Sequence, residues 1–430
     1  MMQRAEIIAV GSELLLGGRV DTNSLFLTEG LASAGIEVRF KSVVGDEEAD
    51  IINAIRTASG RAEVVVLTGG LGPTLDDRTR QAVAHATGRP LRRRAEAYEG
   101  MRRRLAVRGR APTAAQLRQI LIPSGAEVLA NPVGSAPGFC LKWKGCVLVA
   151  LPGVPSEAKQ MFAVAVAPRL TREAAAQGRQ GRIERRVLQT FGLPESDLDL
   201  QLRGVIPAGS GVRLGLLASP LGVLVSLTAC GSGSKVNKKG DGILDRLVKG
   251  VRKRIGAYIY AEGDETMEEV VGRHLGSSRL MLAVAESCTG GLIGHRLTQV
   301  PGSSTYLDRV VVCYSDQAKI ELLGVPTHLI RRNGAVSAEV AAAMARGIRL
   351  RSRAGVGLSV TGIAGPGGGT AEKPVGLVYI GLNAGRSGQP SLIREFRFHG
   401  DRHSIKLRAS QAALELLRQW LVRYGPRIRS

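Results

Sequence analysis

The chain has 430 residues, 44% of them hydrophobic, 22% charged and only 4% aromatic, with a formal net charge of +22. That length fits two or three domains with ordinary buried cores. The absence of an apolar signal segment or long transmembrane run excludes a membrane protein, and five cysteines without CxxC spacing read as buried thiols rather than disulfides, so the expected location is the cytoplasm.

Glu6 to Val10 reads as a first strand, followed by Gly11-Ser12-Glu13 and by Asp21-Thr22-Asn23, where Asp21 or Thr22 is placed to cap a helix ending near Ala34. Strand and helix then alternate. Val64 to Leu67 leads into Thr68-Gly69-Gly70-Leu71-Gly72-Pro73-Thr74-Leu75-Asp76-Asp77, a glycine-rich loop ending in two carboxylates at a helix start. Glycines there permit close approach of a phosphate, while Asp76, Asp77, Asp46 and Glu13 are candidate oxygen ligands for a divalent cation such as magnesium. The competing reading, that paired aspartates simply favour a helix N-terminus, stands level with it on the residues alone.

Arg92, Arg93, Arg94, Arg102, Arg103, Arg104, Arg108 and Arg110 invite a nucleic-acid reading. They alternate with Ala, Glu and Leu along a predicted helix, and no zinc-finger, RRM or helix-turn-helix pattern accompanies them, so a solvated helix face is preferred. A helix from Pro155 to about Arg169 is followed by a polar connection, Arg172 to Arg186. Val187 then begins a smaller α/β unit ending near Tyr260, with a flexible hairpin-type loop at Gly231 to Gly240. Gly263 to Thr266 caps the next helix.

In the last third, the apolar run Leu280 to Ala285 predicts a buried strand, and Leu292, Ile293, Leu297 and Val300 recur at helical spacing. Between them lies Glu286-Ser287-Cys288-Thr289-Gly290-Gly291, which puts a nucleophile in a tight strand-to-helix turn. Val310 to Tyr314 followed by Ser315 to Lys319 predicts a second such junction, and Thr361 to Gly369 after the strand Val356 to Val360 a third. In open parallel sheets these junctions gather along the carboxyl edge. The chemistry available is acyl transfer, with a desolvated lysine, Lys319, taking the Ser287 proton and Tyr314 relaying it or orienting the amine. Cys288 is the alternative nucleophile. His399 and His403 lack a third zinc ligand.

These motifs, in this order, resemble the CinA family over nearly the whole chain. The resemblance implies an α/β protein with three parts. Residues 1–172 would be a molybdopterin-binding-like three-layer domain, 173–263 a small KH-like α+β domain, and 264–430 an α/β nicotinamide-nucleotide amidase domain. It implies hydrolysis of the carboxamide of nicotinamide mononucleotide, without a cofactor, by Ser287, Lys319 and Tyr314. Thr289, Gly290, Gly291, Ser304, Thr361, Gly362, Gly365, Gly368 and Arg402 would bind substrate. On physical grounds the Thr289 to Gly291 amides lie in the right turn to serve as oxyanion donors. For the first domain the resemblance implies metal-assisted hydrolysis of ADP-ribose, with Gly11, Glu13, Asn23, Gly69, Gly70, Gly72 and Thr74 on the substrate and Asp46, Asp76 and Asp77 on the metal. Asp316, Gln317, Gln116 and Ile120 depart from the residues common in the family. A homodimer is the expected assembly, and a nucleic-acid-binding role is the rival from another class.

Overall fold

The computed structural model describes residues 3–107, 109–176, 181–232, 242–385 and 391–425. Arg108 and most of the expected loop at 231–240 lie outside the described residues. The chain divides into two compact units, Met1–Glu184 with Thr228–Gly242, and Arg185–Leu227 with Ile243–Ser430. Residues 173–263 are thus divided between the two units, most of them in the second.

In the first unit the strands are β1 (Arg4–Val10), β2 (Glu37–Val44), β3 (Val64–Thr68), β4 (Leu91–Arg93), β5 (Leu121–Pro123), β6 (Glu127–Leu129), β7 (Gly138–Trp143) and β8 (Cys146–Leu151). Six of them form a sheet in the order β2-β1-β3-β8-β7-β6, parallel from β2 to β8 and antiparallel from β8 to β6. Alternate side chains serve two cores. Ile8, Val10, Val65 and Leu67 pack with Ile51, Ile55 and Val83 on one face, and Ile7, Val64 and Val66 pack with Leu27, Leu31 and Met161 on the other. The helix begun at Pro155 does not stop near Arg169: it passes through a π turn, Phe162–Val166, and continues to Ala176, because Val166, Leu170 and Ala174 keep an apolar stripe on the sheet.

The arginine-rich helix Ala95–Ala106 buries Ala97, Met101 and Leu105 and spends several of its charges locally. Arg94 binds the Ala126 carbonyl and Glu96, and Arg102 pairs with Glu99.

Further along the chain, β9 (Gly181–Thr190), β10 (Val212–Ser219), β11 (Gly222–Ser232) and β12 (Ile259–Glu262) form a sheet in the order β10-β11-β9-β12. The C-terminal strands β13 (Leu282–Glu286), β14 (Leu307–Val312), β15 (Val356–Gly362), β16 (Leu377–Ala384) and β17 (Leu392–Arg397) are ordered β14-β13-β15-β16-β17. β13 is parallel to β14 and β15, while β16 and β17 return antiparallel. The glycine-rich loop after β15 therefore joins two antiparallel strands and is not a third strand-to-helix junction. Leu282 and Val284 face the core under the helix Arg402–Tyr424, and Ala283 and Ala285 face Val340, Met344 and Ile348 of the helix Ala338–Leu350. Among the described residues no helix is long and apolar enough to cross a membrane.

Candidate active site

Because β13, β14 and β15 run parallel, their carboxyl ends lie at one edge, with Glu286 opposite Val312 and Val360. The chain after each end enters the same neighbourhood. The Ser287 amide donates to the Val360 carbonyl at 3.0 Å, and the Cys313 amide donates to the Glu286 carbonyl at 2.8 Å. Ser287 is buried, as are Cys288 and Thr289. Gly290 and Gly291 both take the left-handed conformation, at φ 61° and 92°, which sets the tight turn before the helix Leu292–Gln299.

That turn is tied by Glu286, a fully buried carboxylate. It accepts from the amides of Gly291 at 2.9 Å, Ile293 at 3.2 Å and Gly294 at 2.8 Å. The helix N-terminus is thus already satisfied by an anion of the protein itself. The Gly290 amide donates to the Ser287 carbonyl at 3.1 Å. Gly290 and Gly291 are therefore not free oxyanion donors, contrary to expectation. The Thr289 amide is taken by no carbonyl or carboxylate of the described residues, beside a Thr289 Oγ1 that is buried without a hydrogen-bond partner, while the Cys288 amide meets only its own thiol.

Lys319 sits one turn into the helix Asp316–Leu323, which Ser315 caps by accepting from the Ala318 amide at 3.1 Å. Its side chain is 2% exposed and folds back toward the helix start. There Nζ donates to the carbonyls of Tyr314 at 3.3 Å and Ser315 at 3.4 Å, and Asp316 lies 3.7 Å away. A cation in a first helical turn is unfavourably placed beside the positive end of the helix dipole, and these acceptors offset that. No hydrogen bond joins Lys319 to Ser287 in this structure. Both flank Cys288, whose thiol burial pushes up to about 12 against the opposing charges of Lys319 and Lys406.

Arg402 opens the helix Arg402–Tyr424, behind the Asp401 cap. Its Nη1 donates to the Gly365 carbonyl at 2.6 Å and its Nη2 to the Tyr314 hydroxyl at 2.8 Å. One guanidinium thus joins the β14 junction to the glycine-rich loop. Thr361 donates to the Ala335 carbonyl at 2.9 Å, and Lys373 Nζ to the Val336 carbonyl at 2.8 Å, fixing the neighbouring loop. Gly362, at the end of β15, and Gly368, at φ 83°, belong to the same loop region. Ser304 does not join them. It is exposed in a short 3₁₀ turn before β14, and in parallel strands the amino ends lie at the opposite edge. Lys406, one helical turn after Arg402, was not among the expected residues. A methyl group on Gly290 would lie 3.6 Å from its Nζ. The i, i+4 spacing from Arg402 was the available signal.

In the first unit, Glu13, Arg19, Asp21, Asn23, Thr68 and Gly153 line a cavity of about 120 Å³ at the carboxyl ends of β1 and β3. Asn23 is buried, donating to Thr68 Oγ1 and the Gly153 carbonyl, both at 2.8 Å, and its Oδ1 has no partner. The Asp21 carboxylate accepts from the Ser24 amide at 3.0 Å, so Asp21 rather than Thr22 serves the helix start. Gly69, at φ 108°, brings the backbone against the Val10 carbonyl, and Gly70 and Gly72 pack on Thr79 and Asp77. A methyl group on Gly11 would meet the Glu13 carboxylate at 2.6 Å.

The expected metal ligands are engaged elsewhere. Asp77 accepts from the amides of Gly72 at 2.7 Å and Thr74 at 2.8 Å and from the Thr74 hydroxyl, and Asp46 accepts from the Ser12 amide at 2.9 Å. The Thr74 hydroxyl also holds the Asp76 carboxyl below its ordinary value. Among the described residues no three acidic, histidine or cysteine groups gather around one point. Loop amides hold Asp77 through both oxygens and Asp46 through one, and with no third ligand gathered beside either, the described residues do not make a resident metal site. Arg80, also unanticipated, is buried and clamps the glycine-rich loop through the carbonyls of Leu71 at 2.7 Å and Gly72 at 2.8 Å. Burial pushes its guanidinium down to about 10.

Three family descriptions match the chain: a probable molybdopterin binding domain over residues 6–172, a damage-inducible protein CinA KH domain over 185–261, and a CinA C-terminal domain over 264–421. A competence-damage inducible protein of Moorella thermoacetica is 43% identical over 414 residues, covering 96% of this chain and 98% of its own. A CinA-like protein of Geotalea uraniireducens is 40% identical over 415 residues, covering 96% and 97%. The chain belongs to the CinA family. Among solved structures, the competence/damage inducible protein CihA from Agrobacterium tumefaciens is 44% identical over 36% of this chain and 94% of that chain, with a TM-score of 0.34. CinA from Thermoplasma acidophilum is 35% identical over 39% and 98%, with a TM-score of 0.37.

Proposed function

We propose that the C-terminal sheet edge is a serine-lysine amidase acting on the carboxamide of nicotinamide mononucleotide. The observation that carries the reading is the buried Lys319 amine, held by two carbonyls at the junction next to the buried Ser287 turn. Ser287 Oγ attacks the carboxamide carbon while its proton passes to Lys319 Nζ. The Cys288 and Thr289 amides face the developing oxyanion. The C–N bond then breaks, the proton returns to the leaving nitrogen, and ammonia departs. Water, deprotonated by the same amine, opens the acyl-serine to give nicotinate mononucleotide and free Ser287. Arg402 and Lys406 supply fixed cations for the substrate phosphate, and Arg402 holds Tyr314 beside the glycine-rich loop.

The test is ammonia release from nicotinamide mononucleotide by wild type, Ser287→Ala and Lys319→Ala. Each substitution is expected to reduce turnover at least about a thousandfold, the scale of losing a nucleophile or its base. Full activity in both variants removes the dyad.

A second activity, hydrolysis of the pyrophosphate of ADP-ribose, is proposed for the first unit. The buried, unpartnered Asn23 Oδ1 in the cavity beside the glycine-rich loop favours it. Production of AMP from ADP-ribose that is equal in wild type and Asn23→Ala excludes this cavity as the place.

A further inference from the structure

The strands β1, β3 and β8 are parallel, so the chain after each of them emerges at one edge of the first unit's sheet. The loop after β1 carries Leu15, Leu16 and Val20, the helix Asn23–Ser33 that follows has Leu25 in its first turn, the loop after β3 carries Leu75, and the loop after β8 carries Val154. All six are exposed, Leu16 at 85%, Val20 at 79% and Leu75 at 78%. None belongs to either core beneath the sheet, so packing of the unit itself does not call for them. The same strand ends and loops wall the cavity of Asn23, through Val20, Thr68 and Gly153.

Single exposed apolar side chains are ordinary, but six large ones gathered on loops at one sheet edge are what an interface presents. At these exposures they offer on the order of 700 Å² a copy, close to the about 800 Å² a side of a stable interface.

The charges at this edge decide what covers it. With a net charge of +22, a second copy is repelled over most of the surface. Here, Glu13, Asp21 and Asp76 are mixed with Arg19 and Arg78. Glu13 and Arg19 are exposed at the cavity, and neither makes an ion pair or side-chain hydrogen bond among the described residues. A twofold axis through the patch sets each copy's Arg19 against the other's Glu13, so the surface complements itself. A partner of one charge sign would satisfy one of these groups and repel the other.

We propose that this edge is an isologous interface with a second copy of the chain, the six apolar side chains packing across the twofold and Arg19 of each copy pairing with the partner's Glu13. The interface rests on this surface alone and on neither enzymatic reading.

Sedimentation equilibrium of the full chain, without nucleotide, tests it in wild type, Leu16→Gln with Val20→Gln, Arg19→Glu, and Arg19→Glu with Glu13→Arg. The positions are exposed, so circular dichroism is expected to be unchanged. The paired glutamine variant removes apolar area without adding charge and is expected to raise the Kd of self-association at least about thirtyfold, so that it has half the wild-type mass at concentrations between the two Kd values. Arg19→Glu alone is expected to raise Kd at least about tenfold, and the charge exchange to return it to within about threefold of wild type. Equal mass of wild type and the glutamine variant at every concentration, as any other occupant of this edge would give, overturns the proposal. So does a charge-exchange variant no tighter than Arg19→Glu alone. A chain that releases neither ammonia nor AMP can still pass this test, so the readings fail separately.

Discussion

The Arg402 guanidinium donates to the Tyr314 hydroxyl at 2.8 Å, joining residues 88 positions apart in the sequence. Tyr314 is otherwise 60% exposed, so this contact and the edge of the sheet fix its place. Tyr314→Phe deletes only the acceptor and is expected to lower kcat/KM for nicotinamide mononucleotide about tenfold with little change in Tm. Arg402→Lys is expected to lose more, because a single ammonium cannot bridge Tyr314 and Gly365 as the planar fork does. Steady-state ammonia release measures both. Equal activity of wild type and Arg402→Lys shows that the bridge is unimportant.

Glu286→Ala leaves three backbone amides without an acceptor at a buried turn. The expected destabilisation is about 3 kcal/mol or more, read from urea unfolding. A shift below about 0.5 kcal/mol is the range of ordinary surface substitutions and contradicts the assigned role.

Burial pushes the Cys288 thiol up to about 12. The thiolate is the reactive form, so at pH 8 on the order of one molecule in ten thousand carries it. Native protein treated with iodoacetamide at that pH is expected to keep Cys288 unmodified by peptide mass analysis, and Cys288→Ala to keep amidase activity. Rapid, activity-destroying alkylation of Cys288 returns the thiol to the list of nucleophiles.

Asp401 accepts from the Ser404 amide at 2.8 Å, and the bonds from Ser404 hold its carboxyl below the ordinary value of 3.8. A depressed folded-state value means that the ionised form adds stability above pH 3.8 and that this is lost as pH falls through the lower folded value. Asn also caps helices well, so the wild type and Asp401→Asn pair isolates the charge. Their difference in Tm is expected to be constant from neutral pH down to the carboxylate range and to close below it. A difference that grows on acidification has the wrong sign.

Asp46 and Asp77 are spent on loop amides. Magnesium titrated into the nucleotide-free chain is therefore expected to give no saturable heat. Asp77→Ala is expected to unsettle the Gly72–Thr74 backbone, seen as faster amide hydrogen exchange there. Stoichiometric magnesium binding abolished by Asp77→Ala reverses this assignment.

Much of the scaffold was legible because apolar runs and helical spacing report burial directly. The Leu280 to Ala285 run, the helix opened at Ser315 to Lys319 and the helix capped by Gly263 to Thr266 all fall within a residue or two of their expected places. What escaped was whatever depends on strand direction or on side chains reaching back to backbone. A glycine-rich loop looks alike whether a helix or an antiparallel strand follows it, so the return through β16 was missed. Ser304 carries no mark of which sheet edge it occupies. Glu286 reads in the sequence as the polar end of an apolar strand, and only folding shows that it takes the amides assigned to an oxyanion. Arg80 and Lys406 were lost for the same reason, as single basic residues in a chain with many.

The Glu286 knot also bears on how variants of this family are scored. A screen that reads turnover alone would place Glu286 beside Ser287 and Lys319, as an acid essential to the reaction. Its carboxylate instead faces backbone amides, so its loss would dismantle the turn that carries Ser287. Turnover and folding have to be measured on the same variant before any acidic residue at this turn is counted as chemistry.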